Sequence, residues 1–183
     1  MMRDLRCIMK KMAVCLVALF TIILIVMVLI FSHNNRKFSV AVLKDYNICY
    51  GDSPRAVASK TSGTCIEKEQ LASSNQTVYT YETEILDMSA KMSCYFLNDK
   101  HLSEVEIMIQ GNEIEQTATL FERAKEIIKE SYKNEDSFVC GDIVFYDEST
   151  YSLSLGLKDG AVGIDYTILV KDNTLFITCV DCR

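Results

Sequence analysis

Cysteine is the residue type here most able to do chemistry, and the chain has eight. Cys7 and Cys15 fall in the N-terminal part, leaving Cys49, Cys65, Cys94, Cys140, Cys179 and Cys182 beyond it, an even number. In an oxidising compartment such a set permits disulfides, although six cysteines allow ~15 connectivities. The expected local pair is Cys49 with Cys65, bracketing a short helix, and Cys140, Cys179 and Cys182 are further disulfide candidates. Cys94 sits on an apolar face with Met92 and Phe96, so it is either half of a bridge or a buried core thiol. Cys179-Val180-Asp181-Cys182 has the C-x-x-C spacing. A redox motif of that kind opens a helix whose N-terminus lowers the thiol pKa, and only Arg183 follows here. A zinc site would have to borrow distant single cysteines, so neither redox nor metal chemistry is expected, and no cofactor is implied.

The other reactive residue types add little. His33 and His101 stand beside no Ser or Cys nucleophile motif, and the sequence contains no G-x-S-x-G, H-E-x-x-H or P-loop pattern. An enzyme is therefore not expected. Glu82, Glu84, Glu104 and Glu106 alternate along two segments; they could chelate Ca2+, but the solvated outer face of a meander has the same pattern and is the preferred reading. Tyr79 and Tyr81 share one strand face and are interface candidates, since tyrosine suits a half-wet contact as well as ordinary sheet packing. Asn75-Gln76-Thr77 is a glycosylation sequon, meaningful only in a eukaryotic secretory pathway.

The elements that would position these residues follow from composition and period. With 183 residues, 49% hydrophobic and 24% charged, the chain is long enough for about one domain and too apolar for global disorder. Met12 to Phe31 is a run without charge, and at ~1.5 Å per residue it matches the ~30 Å bilayer core. The run is too long for a signal-peptide core and lacks a small-x-small exit, so a signal anchor is expected rather than a cleaved leader. Arg3, Arg6, Lys10 and Lys11 precede it and only Arg36 and Lys37 closely follow, which predicts a single-pass protein of the cell membrane, its N-terminus cytoplasmic and its C-terminal domain extracytoplasmic. The predicted organisation is a basic tail over 1–11, a transmembrane helix over 12–31, a juxtamembrane linker over 32–45 and an external domain over 46–183. Residues 1–37 carry six basic groups and one acid, so 38–183 carry 13 basic and 24 acidic, a net −11. That balance argues against nucleic acid, whose binding needs a basic footprint.

Within the external part, Phe38 to Tyr50 reads as extended, and Ser53-Pro54 caps a helix over Pro54 to Lys60. Lys68 to Gln76 reads as a loop. Period-two alternation predicts strands over Thr77–Ile85, Ala90–Leu97 and Leu102–Ile109. Asn112, with Glu115 three residues on, resembles a capping box. Ile114, Ala118, Phe121, Ala124, Ile127 or Ile128, and Tyr132 then form the apolar stripe of a helix over 113–133. Strands follow over Phe138–Tyr146, Tyr151–Leu157, Ala161–Val170 and Thr174–Val180, with turns at Lys158-Asp159-Gly160 and Asp172-Asn173. The expected class is α+β: one N-terminal transmembrane helix, then two helix-plus-antiparallel-meander halves.

The run Tyr50-Gly51-Asp52-Ser53, then Tyr79-Thr80-Tyr81, then Tyr95-Phe96-Leu97-Asn98-Asp99-Lys100 resembles small exported proteins of Gram-positive bacteria. The tandem layout over about 46–170 is similar to that of β-lactamase inhibitor protein and the SmpA/OmlA outer-membrane assembly lipoproteins. The resemblance implies a binding or scaffolding surface on the sheet and no catalytic residues. The chain departs from it in lacking a lipobox and in carrying cysteines outside the pattern. The functional expectation is thus a membrane-anchored binding domain for a protein or cell-envelope ligand. The alternatives are a sensory or regulatory ectodomain acting through a membrane partner, or a thiol-active envelope protein.

Overall fold

The computed structural model describes Thr21, Ile22 and residues 39–61, 63–72, 74–147, 149–159 and 162–182. Residues 38–183 form one compact unit. After a 3-10 turn, Ala41–Tyr46, come helix α1 (Pro54–Lys60), strands β1 (Thr64–Leu71), β2 (Gln76–Ile85), β3 (Met88–Leu97) and β4 (His101–Gln110), and helix α2 (Ile114–Tyr132). Strands β5 (Phe138–Cys140), β6 (Val144–Phe145), β7 (Thr150–Asp159), β8 (Val162–Lys171) and β9 (Thr174–Asp181) complete the order. All nine strands belong to one antiparallel sheet, ordered β1-β2-β3-β4-β9-β8-β7-β5 with β6 also on β7.

Two expectations are corrected here. The two helix-plus-meander halves do not exist as separate units: β4 pairs with β9 from Glu104↔Val180 to Gln110↔Thr174, so the strands make a single, predominantly antiparallel β structure. The single-pass membrane placement, with its N-in orientation, is also corrected, because no helix among the described residues is long and apolar enough to cross a membrane. The predicted span 12–31 lies outside the described residues apart from Thr21 and Ile22, as do the basic tail, Cys7, Cys15 and His33. Residues 39–45, read as linker, instead contribute Val40, Ala41 and Leu43 to the core.

Local chemistry explains the elements. Ser53 Oγ accepts the Ala56 N–H at 3.2 Å and Pro54 fills the first helical position, so α1 starts where the sequence predicts. The cap of α2 differs: Glu113 is the N-cap without a side-chain bond, and Gln116 Oε1 reaches back to accept the Asn112 N–H at 2.8 Å. Lys68 to Leu71, read as loop, belongs to β1, an edge strand that is exposed almost throughout. Polar residues on both faces erase the alternation on which a strand is recognised.

The sheet has one dry face. Thr117, Leu120, Phe121, Ala124, Ile128 and Tyr132 of α2 are buried against it. Tyr132 Oη and Tyr166 Oη are 2.6 Å apart, Tyr132 donates to Ser39 O at 3.1 Å, and the Ala41 N–H donates to Tyr166 Oη at 3.4 Å. This pins the N-terminal segment between helix and sheet. Tyr50 is 1% exposed nearby, with its hydroxyl unpaired. Tyr166→Phe is expected to lower the unfolding free energy by about 1–3 kcal/mol, since a buried N–H and hydroxyl lose their partner. Tyr50→Phe removes a buried hydroxyl that has no hydrogen-bond partner, and with it that group's desolvation cost, so it should raise the unfolding free energy by about 1 kcal/mol. Urea titration of both variants is the check.

Candidate interaction surface

Helix α2 packs against β8 and β9 on the inner face, which makes the opposite face of the sheet the outer one. Paired strand residues point to the same side, so the register maps this surface. One row runs Glu69–Val78–Tyr95–Glu104–Val180–Asp165–Gly156. The next runs Glu67–Thr80–Ser93–Glu106–Thr178–Thr167–Ser154, and a third Glu82–Lys91–Met108–Phe176–Leu169–Ser152. These rows hold Glu67, Glu69, Glu82, Glu104, Glu106 and Asp165 against Lys91, six carboxylates to one lysine. Met108, Phe176 and Leu169 lie side by side on adjacent strands and are each half-buried.

The electrostatics match that charge balance. Glu104 has its pKa raised, first by burial and then by the Glu106 carboxylate two residues along the same face. Tyr95 donates to Glu106 Oε2 at 2.6 Å, and its own pKa rises through burial and then that bond. Glu82 and Glu84 on β2 are separated from Glu104 and Glu106 by the whole of β3. The Ca2+ option finds no support, because among the described residues no group of three or more His, Cys, Asp or Glu is placed to hold a metal ion.

The other predicted site residues lie on or near the inner face. Tyr81 is 2% exposed, a core residue. Tyr79 is half-buried: its hydroxyl donates to Asp99 Oδ1 at 3.0 Å, its ring meets Phe96 edge-on, and Lys68 Nζ stands 4.7 Å above it. Both line a cavity of about 510 Å³ with Cys65, Asp99 and the start of α1. A larger groove of about 800 Å³ runs between the 3-10 turn, the β2–β3 turn and α2, where Arg123 pairs with Asp87 at 2.8 Å. Sequence reasoning placed Glu104 and Glu106 on a wet face but missed Glu67, Glu69, Met108 and Phe176, whose grouping depends on the β1–β2 and β4–β9 pairings.

The disulfide expectation is corrected: Cys49, Cys65, Cys94, Cys140, Cys179 and Cys182 are all free thiols. Cys94, Cys179 and Cys140 do share one inner row, Tyr79–Cys94–Val105–Cys179–Tyr166–Leu155–Cys140. Cys94 and Cys179 are two strands apart, roughly 9–10 Å at ordinary strand spacing, against a bridging limit of ~7 Å between Cα atoms. Cys140 lies three strands beyond Cys179. Cys179 and Cys182 are separated along extended chain by roughly 10 Å. Cys94, Cys179 and Cys182 are not activated: burial, then Cys65, pushes Cys94 up to about 12, burial raises Cys179, and burial followed by Asp165 raises Cys182, the opposite of a redox C-x-x-C.

No family model, curated protein or solved structure matches the chain. No neighbour therefore bears on the resemblance to the inhibitor and lipoprotein folds, and the surface rests on its own residues.

Alkylation of the native protein, followed by peptide mass mapping, is expected to label the exposed Cys65, Cys140 and Cys182 rapidly. Cys94 and Cys179 should react only after unfolding. Any Cys49–Cys65 disulfide peptide in protein purified without reductant would contradict the free-thiol state.

Proposed function

We propose that this domain is a non-catalytic protein-binding module whose outer sheet face takes a basic partner. The observation that carries the reading is the excess of six carboxylates over one lysine on the sheet face that also carries the Met108–Phe176–Leu169 patch. Apolar residues supply contact area, while carboxylates steer and select a partner of opposite charge. The net −11 of residues 38–183 extends that attraction beyond the patch itself. Tyr79 and Tyr81, engaged on the inner side, play no direct part.

Glu104 supports the reading through its cost. Its folded-state pKa lies above the unfolded value, so the folded protein binds that proton more tightly. The ionised side chain therefore lowers stability at neutral pH, and the deficit disappears as pH falls through the folded-state pKa. Glu104→Gln is expected to raise the urea midpoint at pH 7 and to leave it unchanged near about pH 3, where the carboxyl is protonated in both states. A group retained against stability fits a surface selected for binding.

The binding test uses an array of 15-residue peptides graded in charge, with contacts mapped by NMR shifts of the full chain. Basic peptides should perturb Met108, Glu106 and Phe176, and Glu106→Lys should weaken them by about tenfold, 1.4 kcal/mol. Binding indifferent to peptide charge, or confined to the α2 side, would sink the proposal.

A further inference from the structure

The two edges of the sheet are built differently. β1 is long and exposed, but Glu67, Lys68 and Glu69 occupy its middle, the usual protection of an edge against a further strand. At the opposite edge β5 and β6 lie end to end along β7, with one extra residue between them. Between Cys140↔Leu155 and Val144↔Ser152 the edge advances four residues while β7 advances three. This edge is apolar. Nine large hydrophobic residues are exposed among the described residues, and five of them are Val139, Ile143, Val144, Phe145 and Tyr146, with Phe145 at 72%. Asp142 is the one charge between Phe138 and Tyr146.

The backbone is available as well. Gly141 N–H donates to Ser154 O and Tyr146 N–H to Thr150 O, each at 2.9 Å, so these amides point into the sheet. In an antiparallel ladder the alternate amides point away, which here are those of Cys140 and Phe145.

We propose that an extended partner segment, alternating apolar and basic residues, adds as a strand along the Phe138–Tyr146 edge. This rests on the basic partner proposed above and names how part of it is held. Main-chain bonds would come from Cys140 and Phe145, apolar contacts from Val139, Val144 and Phe145, and charge complementarity from Asp142 within a domain of net −11. Two copies of the chain, each of net charge −6, repel one another, which disfavours a second copy as the occupant.

The probe is a capped nine-residue peptide alternating Val and Lys, with a Val/Glu peptide as control, added to the full-length protein. At saturating Val/Lys peptide, hydrogen exchange of the Cys140 and Phe145 amides should slow by about tenfold or more, while those of Gly141 and Tyr146, already paired, change little. Phe145→Lys, and independently the less packed Val139→Lys, should weaken the peptide by about tenfold. Equal binding of the Val/Glu peptide, or absence of slowing at Cys140 and Phe145, overturns the proposal. So does a concentration-dependent dimer that protects those amides without peptide, which would put a second copy on the edge. Shifts at Met108 and Phe176 without edge protection would leave the face reading standing and remove this one. Edge protection unaffected by Glu106→Lys would do the reverse.

Discussion

The pairing of β4 with β9 is the constraint on which the rest of the molecule depends. It joins strands that come before and after α2, and thereby makes one surface from two stretches of chain. Both faces inherit their character from it. On the inner side it sets Val105 beside Cys179 and Ile107 beside Ile177, completing the apolar floor under α2. On the outer side it sets Met108 beside Phe176 and Glu106 beside Thr178, without which the acids of β4 would be a short charged stripe. The edges follow too: with β4 and β9 central, β1, and β5 with β6, are left at the two margins.

Helix α2 covers one face of a broad sheet, and the composition of the other face must satisfy solubility and function together. Half-buried Met108, Phe176 and Leu169 would be a hazard on an uncharged sheet, because exposed apolar strands pair with others of their kind. The excess of carboxylates on the same face counters this by mutual repulsion between copies. Glu104 shows that the arrangement is not free of cost, since burial and Glu106 both oppose its ionisation.

Much of the element order could be read from residues. The alternation of Ala90, Met92, Cys94 and Phe96 is the buried face of β3, and the Ser53-Pro54 cap opens α1. Three kinds of feature could not be read. β1 is wet on both sides, so burial writes no period into it. The β2–β3 turn places Leu86 and Asp87 at φ +55° and +62°, a left-handed pair with none of the Gly or Asn that would announce it, held from outside by Arg123, which donates to Leu86 O. The joining of β4 to β9 is a long-range choice, and period-two segments look the same whether they build one sheet or two. The cysteine reading failed for a related reason: an even number of thiols carries no distances, and the sheet spaces Cys94, Cys179 and Cys140 too widely to meet.

The same central pairing has a kinetic meaning. The β2–β3, β3–β4 and β8–β9 hairpins close across turns of two or three residues, whereas Gln110 must find Thr174 and Glu104 must find Val180 across 64 and 76 positions of chain. Closing such a loop costs entropy before any contact repays it, which places the domain toward the slow, millisecond-to-second end of folding for its size. Until that step, β4 and β9 are open margins of whatever sheet has formed on either side of α2. The acidic character of 38–183 opposes the addition of one chain's open margin to another's.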